Sequence, residues 1–229
     1  MEINTTFVLC AGYGKRLNPI TLNKPKPLVK INQITLLENT LNLINSLGIK
    51  NIYLNTFYLA DQINDFIKHL EFNPGPKIIH DGESILGTGG GILNLLKYSD
   101  QENFLILNPD TIWNKNYVNE IKNMEKFYLE NNFKNILLIV EKSKSFDQRM
   151  KGDFSVENRK LSKSGNKNYI FTGCQILNRQ VFENYKINTF SINEIWEKMI
   201  SNKELYGHQS EEKFTHLTDF EIYQKLTKT

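Results

Sequence analysis

The sequence of 229 residues carries a formal net charge of +3, with 40% hydrophobic and 23% charged residues. This composition is typical of a globular protein and excludes a chain that is disordered or of low complexity over long stretches. Because the lysines are scattered among nearly as many acidic residues, the sequence shows no basic cluster of the kind that nucleic-acid binding requires.

The N-terminal stretch MEINTTFVLC lacks the cationic start and the longer apolar run of a signal peptide. No apolar run approaches the roughly 18 residues of a membrane-spanning helix. We therefore expect a cytoplasmic protein that binds neither membranes nor nucleic acids. Cys10 and Cys174 lie inside apolar runs and outside any metal-ligand spacing, so buried free thiols are expected.

The first half of the chain alternates short apolar runs with helical periodicity, which is typical of a parallel sheet covered by helices. Strands are predicted at TTFVLC, IKNIYLN, KIIH, NFLILN and NILLIV. Helices are predicted at 35–47 with Gly48 at its end, at 59–70 before NPGP, at GGILNLLKY and at 118–129.

After about Glu141, the stretch KGDFSVENRKLSKSGNKNYIFTGCQIL predicts short strands joined by polar turns. SINEIWEKMI then returns to helical periodicity, with Ser191 as N-cap and Glu194 three residues later. Since no linker or internal repeat is visible, we expect a single domain over residues 1–229. The hairpins would cover one edge of that domain.

In an open parallel sheet, ligands bind beyond the carboxyl ends of the strands. The first strand delivers AGYGKRL there, a glycine turn whose N–H groups can approach an anion, with Lys15 and Arg16 to neutralise phosphate. This turn lacks the Gly-Lys-Ser/Thr sequence of a P-loop and the third glycine of a dinucleotide-binding motif. Both absences argue against a P-loop NTPase and a dehydrogenase. In NKPKPLV, prolines stiffen the loop that presents Lys24 and Lys26. Either stretch alone fits an ordinary surface turn, but their pairing favours phosphate binding.

The double motif LCAGYGKRLNPITLNKPKPLV resembles that of the sugar-phosphate nucleotidyltransferases, and the resemblance continues through ILGTGGGI, FLILNPD, KGDFSV and FTGCQIL. Among the branches of this family, the sequence is most similar to the N-acetylmuramate 1-phosphate uridylyltransferases of cell-wall recycling, with mannose-1-phosphate guanylyltransferases as the neighbouring branch. The resemblance implies a Rossmann-like, mostly parallel sheet with helices on both faces and a small β-hairpin insertion, the nucleotide-diphospho-sugar transferase fold. It implies a nucleotide-binding half at about 1–112 and a sugar-binding half at about 113–229.

The family reaction joins a nucleoside triphosphate to a sugar 1-phosphate and releases pyrophosphate, and the resemblance implies UTP and N-acetylmuramate 1-phosphate as substrates. Because both substrates are anions, the reaction needs cations and a metal more than a general base. By resemblance, Arg16, Lys26 and Asp110 would be catalytic. Asp110 would hold Mg²⁺, with Mn²⁺ as the alternative ion.

The resemblance also implies two groups of binding residues. The nucleotide would contact Ala11, Gly12, Gly14, Glu83, Gly87, Thr88, Gly89 and Asn108. The glycines of 87–91 favour close approach of a ligand, because a plain helix start with four glycines would cost too much backbone entropy. The sugar would contact Asn55, Gly152, Asp153, Thr172 and Gly173, although Asp153 fits a hairpin turn equally well.

Two positions depart from the family pattern. Pro109 replaces the glycine that usually precedes the metal-binding aspartate, which removes an N–H group. His216 stands where a second metal carboxylate is expected, and Asp219, three residues later, is the alternative. A histidine is a poor ligand for Mg²⁺, which prefers oxygen.

Two other functions stay open from the sequence. A cytidylyltransferase for phosphocholine or another non-sugar phosphate would need an aromatic cage, for which Tyr58, Trp113 and Tyr206 are the candidates. A catalytically silent nucleotide-sugar sensor is favoured by the altered metal positions and disfavoured by the presence of Arg16 and Lys26. The sequence specifies neither the base, the sugar nor the oligomeric state.

Overall fold

The computed structural model describes residues 1–70, 72 and 75–228. Asn73 and Pro74 of the NPGP stretch, which is predicted to end a helix, lie outside this range. Within the described residues, every helix is too short or too polar to cross a membrane.

A nine-stranded sheet runs through both halves of the chain, and a separate two-stranded ribbon lies beside it. The strands are β1 (Thr5–Leu9), β2 (Lys30–Ile31), β3 (Ile34–Thr35), β4 (Asn51–Thr56), β5 (Lys77–His80), β6 (Asn103–Leu107), β7 (Asn135–Glu141), β8 (Ser155–Glu157), β9 (Lys160–Ser162), β10 (Tyr169–Asn178) and β11 (Tyr206–Ser210). The order in the large sheet is β5-β4-β1-β6-β10-β7-β11-β9-β8, while β2 pairs with β3.

The pairing directions divide the large sheet. β5, β4, β1 and β6 are mutually parallel, and β11 is parallel to β7. β10 is antiparallel to both of its neighbours, β6 and β7. The carboxyl ends of the four parallel strands therefore meet at one edge, as the sequence predicts.

The hairpin prediction for the second half is correct only at the sheet margin. β8 and β9 form an antiparallel pair at the end of the sheet. The stretch YIFTGCQILN, in contrast, forms β10, a strand of ten residues in the middle of the sheet. Six consecutive residues of β10 are buried, so this segment is a core strand and not part of a peripheral insertion.

Six α-helices cover both faces of the sheet. They are α1 (Leu36–Leu47), α2 (Ala60–Lys68), α3 (Gly87–Leu95), α4 (Tyr117–Glu130), α5 (Ile192–Ser201) and α6 (Phe220–Thr227). Successive side chains of a strand point to opposite faces. Val8 accordingly packs in a core cluster with α1 and α4, while Phe7 packs in a second cluster with α3 and α5. This arrangement confirms the expectation of helices on both faces.

The predicted caps at Gly48 and Ser191 are present, and Thr35 also caps the start of α1. Thr35 accepts a hydrogen bond from the N–H of Glu38 at 3.1 Å, and Gly48 ends α1 with φ of 77°. At α5, Ser191 accepts from the N–H of Asn193 while Glu194 accepts from the N–H of Ser191. These contacts set where α1 and α5 begin, because they satisfy N–H groups that have no partner inside the helix.

Candidate active site

The glycine turn after β1 packs directly against the loop that carries Lys26. Gly14 has φ of +64°, and a Cβ atom there would lie 3.0 Å from Lys26 Cβ and 3.1 Å from Thr21 Cγ2. The Thr21 hydroxyl donates to Gly14 O at 2.9 Å. A Cβ atom on Gly12, by contrast, would meet no described atom within 4 Å. Gly14 is therefore needed to bring the two motifs together, and Gly12 leaves space open.

Lys26 is held in a short 3-10 turn between two prolines. The turn spans Lys26–Leu28, and the N–H of Val29 donates to Lys26 O at 3.0 Å. From this turn the Lys26 ammonium reaches Asp110, with 2.6 Å between Nζ and Oδ2. The proline-flanked lysine thus points to the carboxyl end of β6, where Asp110 lies.

Asp110 has two cationic or potentially cationic neighbours at the same oxygen. His216 Nε2 lies 3.1 Å from Asp110 Oδ2, the oxygen that Lys26 also contacts. Burial alone would raise the pKa of Asp110, but Lys26 and His216 outweigh it and hold that pKa well below its usual range. The carboxylate is consequently ionised at neutral pH despite its burial.

A pocket, here called the lysine pocket, opens between these loops. It collects the ends of β1, β4 and β6 and the start of α3. Its lining residues are Leu9, Cys10, Ala11, Gly12, Gly14, Lys26, Pro27, Asn55, Ile85, Gly87, Thr88, Asn108, Pro109 and Asp110. Most of the residues predicted to contact the nucleotide therefore lie around one hollow.

A second pocket, here called the hairpin pocket, adjoins the first. Its lining residues are Thr88, Asn108, Gly152, Asp153, Phe154, Lys163, Lys167, Phe171, Ser191, Ile192, Asn193 and Trp196. Thr88 and Asn108 line both pockets. Molecules bound in the two pockets would meet at this shared wall.

Among the predicted residues that line neither pocket, two are exposed at the surface. Arg16 is exposed on the 3-10 turn Lys15–Leu17, and Glu83 is exposed before α3. The guanidinium predicted to converge on the site with Lys26 and Asp110 is thus outside the hollow that those two share. The roles of Arg16 and Glu83 stay predictions.

Four of the predicted sugar ligands form hydrogen bonds within the protein: Asn55, Thr172, Gly173 and Asp153, whose Oδ2 accepts from the N–H of Phe171 at 2.9 Å. Asn55 lines the lysine pocket and not the hairpin pocket. Its Nδ2 donates to both oxygens of Asp81 at 3.2 Å, and its Oδ1 accepts from the N–H of Cys10 at 3.0 Å. Because these bonds occupy the amide, the structure does not place Asn55 with the other sugar candidates.

Thr172 and Gly173 belong to an irregular part of β10. The buried Thr172 hydroxyl donates to Leu138 O at 2.9 Å. Gly173 has φ of +88°, and its carbonyl accepts from the N–H of Asn108 at 2.8 Å. Both residues hold the sheet around Asn108 and line neither described pocket, so their role as sugar contacts stays a prediction. Gly152 and Asp153 do line the hairpin pocket.

The glycine-rich stretch before the third core helix is itself the first turn of that helix. α3 begins at Gly87, three residues earlier than GGILNLLKY predicts. A Cβ atom on Gly89 would lie 2.3 Å from the Phe190 ring, and one on Gly90 would lie 2.1 Å from Asn188 O. The glycines do permit a close approach, but it is the approach of this chain's own segment. The prediction of Gly89 as a nucleotide contact is therefore unsupported, while Gly87 and Thr88 line the lysine pocket.

The two candidates for the second metal position have different surroundings. Asp219 accepts from the N–H of Ile222 at 3.0 Å as the N-cap of α6 and pairs with Arg149 Nη2 at 2.8 Å. These contacts engage Asp219 away from Asp110, and its role as a metal ligand stays a prediction. His216 is the residue that lies beside Asp110.

The chemistry of Asp110 fits a metal ion that substrate phosphates also coordinate. Asp110 Oδ1 is buried and has no hydrogen-bond partner among the described residues, so this oxygen is left for a cation. Within the same residues, no group of three or more His, Cys, Asp or Glu side chains is arranged to hold an ion. A site of one carboxylate completed by phosphates and water suits Mg²⁺.

Sequence reasoning missed several residues at the site. Asp81, directly after β5, is buried against Asn55, and burial raises its pKa while the bond from Asn55 partly offsets that rise. Its position at a strand end was a usable signal. Lys163, Lys167 and Trp196 reach the hairpin pocket from the β9 region and α5, and no local pattern points to them.

The three aromatic candidates for a phosphocholine cage do not lie together. The Tyr58 hydroxyl donates to Thr21 O at 2.7 Å. Trp113 packs edge-on against Tyr117, with 5.0 Å between ring centroids. Tyr206 stacks on Phe133 at the other end of the sheet. Each ring contacts a different part of the protein, so these three do not form the cage that the alternative function would need.

Both cysteines are free and buried, as predicted. Burial, together with the nearby charge of Asp110, raises the pKa of the Cys10 thiol. Burial alone raises that of Cys174. Neither thiol is thereby suited to act as a nucleophile at neutral pH.

Comparisons with known proteins agree with this geometry. The family model described as nucleotidyl transferase matches residues 5–214. The chain is 29% identical over 227 residues to the bifunctional protein GlmU of Methanocaldococcus jannaschii, covering 87% of this chain and 53% of that protein. It is 30% identical over 110 residues to the N-acetylmuramate alpha-1-phosphate uridylyltransferase of Caulobacter vibrioides, covering 47% of this chain and 46% of that protein. The chain thus spans about half the length of these curated relatives.

Among solved structures, a putative glucose-1-phosphate thymidylyltransferase from Bacillus anthracis has a TM-score of 0.79 at 17% identity, covering 98% of this chain and 94% of that one. A likeness at this identity establishes the fold alone. It confirms the nucleotide-diphospho-sugar transferase fold predicted from the sequence.

Proposed function

The chain belongs to the nucleotidyl transferase family, and from this premise we propose that it transfers a nucleotidyl group from a nucleoside triphosphate to a sugar 1-phosphate, with release of pyrophosphate. The observation that carries the proposal is the contact of Lys26 and His216 with Asp110 in the lysine pocket. A glycine turn, a lysine and an ionised carboxylate converge there at the carboxyl ends of parallel strands.

The lysine pocket is suited to the triphosphate. The turn formed by Ala11, Gly12 and Gly14 lines it and presents backbone to a ligand without intervening side chains. The Lys26 ammonium offsets the charge that builds up where two phosphates approach each other. A divalent metal, when bound at Asp110, supplies further stabilisation of phosphate charge.

The hairpin pocket is suited to the acceptor. Trp196 and Phe171 offer apolar surface, while Asp153 and Lys167 offer polar groups. Because Thr88 lines both pockets, an acceptor in the hairpin pocket would direct its phosphate towards the triphosphate. Such an arrangement holds the attacking oxygen near the α-phosphorus, which is the main requirement of this reaction.

For the specific substrates, we propose UTP and N-acetylmuramate 1-phosphate. The motifs TGGGI, GDF and FTG support this choice, as does the similarity to the Caulobacter uridylyltransferase over about half of the chain. A cytoplasmic role in cell-wall recycling, with Mg²⁺ as the ion, belongs to the same proposal.

The test is a pyrophosphate-release assay with each of the four nucleoside triphosphates and a panel of phosphate acceptors. We expect the highest kcat/KM with UTP and N-acetylmuramate 1-phosphate. Turnover of GTP with mannose 1-phosphate would replace the specific substrates and keep the reaction class. Turnover of CTP with phosphocholine would refute a sugar 1-phosphate acceptor, and nucleotide binding without turnover of any pair would indicate a silent sensor.

A further inference from the structure

The segment that carries His216 lies outside regular secondary structure. Residues 211–219 connect β11 to α6 and belong to neither. Single bridges join Thr111 to His216 and Ser145 to Phe214, and the N–H of Leu217 donates to Asp110 O at 2.9 Å. These backbone contacts place the segment beside Asp110, but they leave the rotation of the His216 ring to its side-chain contacts.

The two nitrogens of the His216 ring have different polar partners. Nε2 lies 3.1 Å from Asp110 Oδ2, and Nδ1 lies 3.2 Å from Thr218 Oγ1. Asp219, the residue directly after Thr218, accepts from Arg149 Nη2 at 2.8 Å. Polar contacts therefore lead from Asp110 through His216 to Thr218, and Arg149 holds the residue that follows.

Arg149 forms a two-pronged contact with the carboxylate of Asp147. Its Nε lies 2.8 Å from Asp147 Oδ1, and its Nη2 lies 2.9 Å from Asp147 Oδ2. The same guanidinium contacts Asp219 Oδ2 at 2.8 Å and Glu221 Oε2 at 2.7 Å. Arg149 thus connects the loop that holds Asp147 to the start of α6, directly after Thr218.

We propose that Arg149 is a positioning residue which, by holding Asp219 next to Thr218, fixes the orientation of the His216 ring against Asp110. The inference rests on the proposed function, because the ring matters for turnover only if Asp110 is part of the reacting site. The Asp147 side chain is only 4% exposed, and its hydrogen bonds with Arg149 lower its pKa to about 2. This charged and fixed carboxylate holds the guanidinium in place for its contact with Asp219. A lysine in place of Arg149 could not reproduce the planar two-pronged contact.

The competing explanation is that Arg149 only anchors α6. In that case its loss would destabilise the C-terminal helix and reduce activity by the same factor whether or not His216 is present. If Arg149 acts through the ring, its effect must disappear when the ring is absent, since coupled residues are not additive.

The first experiment measures the ring directly and does not depend on activity. Histidine is labelled with ¹⁵N in the metal-free protein, and the His216 ring signals are assigned with His216→Gln. We expect Thr218→Val and Arg149→Met to shift these signals, while Thr218→Ser, which keeps the hydroxyl, leaves them at the wild-type values. Arg179→Met is the matched control, because Arg179 contacts the carbonyls of Ser99 and Gln101 and none of the residues around His216.

The second experiment is a double-mutant cycle on kcat. We expect Thr218→Val and Arg149→Met each to lower kcat about tenfold while KM for the triphosphate stays within about twofold, and to change kcat by less than about twofold in a His216→Ala background. Melting temperatures identify any variant that is simply unfolded. If Arg149→Met has a low melting temperature, Thr218→Val still tests whether the Thr218 hydroxyl orients the His216 ring.

Either of two results would overturn the inference: unchanged His216 signals in both variants, or equal losses of kcat in both backgrounds. If the wild-type protein catalyses no nucleotidyl transfer, the proposed function fails, and the ring signals still decide whether Arg149 orients His216.

Discussion

Lys26 Nζ lies 2.6 Å from Asp110 Oδ2, although the two residues are 84 positions apart in the chain. The contact joins the loop after β1 to the carboxyl end of β6, and it brings a cation to the edge of the sheet where a ligand binds. It also partly neutralises a buried carboxylate, which would otherwise be costly.

We predict that Lys26→Ala lowers kcat by about two orders of magnitude or more, because it removes charge compensation between two phosphates. The melting temperature should also fall, because the variant leaves Asp110 without the ammonium that lies 2.6 Å from its Oδ2, so kcat is compared at a temperature where all the proteins are folded. Lys24→Ala is the matched control, because Lys24 is exposed two positions away. Steady-state kinetics of the three proteins check the prediction, and wild-type kcat in Lys26→Ala would refute a catalytic role.

The two kinds of glycine should respond differently to alanine. Gly90→Ala should lower the free energy of unfolding by about 1 to 3 kcal/mol, because its Cβ atom would lie 2.1 Å from Asn188 O. Gly12→Ala should leave unfolding unchanged, because its Cβ atom would meet no described atom within 4 Å. It should instead raise KM for the triphosphate by narrowing the lysine pocket.

Urea unfolding and kinetics on the same samples separate these two effects. A stable Gly90→Ala protein would contradict the packing of α3 against the 188–190 segment. An unaltered KM in Gly12→Ala would contradict the placement of the triphosphate against the glycine turn.

Asp147 should contribute to acid stability. The hydrogen bonds with Arg149 lower its pKa to about 2 in the folded state, below the value of about 3.9 expected for an unfolded chain. A carboxylate with a lowered pKa stabilises the fold above the unfolded-state value, and this stabilisation is lost as the pH falls from about 4 to about 2.

The difference in melting temperature between wild type and Asp147→Asn should therefore be largest at neutral pH and shrink between about pH 4 and pH 2. Asp65→Asn is the control, because the Asp65 side chain is 67% exposed and pairs only with exposed Lys68 among the described residues. A difference that is independent of pH would show that Asp147 acts through packing and not through charge.

His216 should raise the Mg²⁺ concentration that the enzyme needs for half-maximal activity. We predict that His216→Asp lowers the Mg²⁺ concentration for half-maximal activity about tenfold, because Mg²⁺ prefers oxygen ligands. His216→Asn, which has the same size and no charge, should give a smaller shift. Titrations of activity with Mg²⁺ check both variants, and a higher requirement in His216→Asp would argue against His216 as a neighbour of the ion.

Local sequence was sufficient for most of the elements. The alternation of Phe7 and Val8 between two core clusters and the caps at Gly48 and Ser191 follow from periodicity and backbone chemistry over a few residues. The placement of Lys26 also follows from local sequence, because its flanking prolines and the glycine turn lie within twenty residues of one another. The fold and the lysine pocket could thus be predicted before any coordinates were known.

Long-range packing decided the rest. Gly89 and Gly90 are glycines because residues 188–190 approach them, and Asn55 is engaged by Asp81, which comes from the next strand. Nothing local distinguishes a glycine that admits a ligand from one that admits another part of the chain. In both cases the close approach requires only that the residue has no side chain.

The sequence by itself determined most of the strands and helices, the caps at Gly48 and Ser191 and the two motifs proposed to bind phosphate, because each depends on neighbouring residues. Only the tertiary structure decided that His216 and not Asp219 lies beside Asp110, and that β10 passes through the centre of the sheet. The reason is physical: the partners that occupy Asp219, Arg149 and the N–H of Ile222, become neighbours only when β11, α6 and the loop after β7 have packed together.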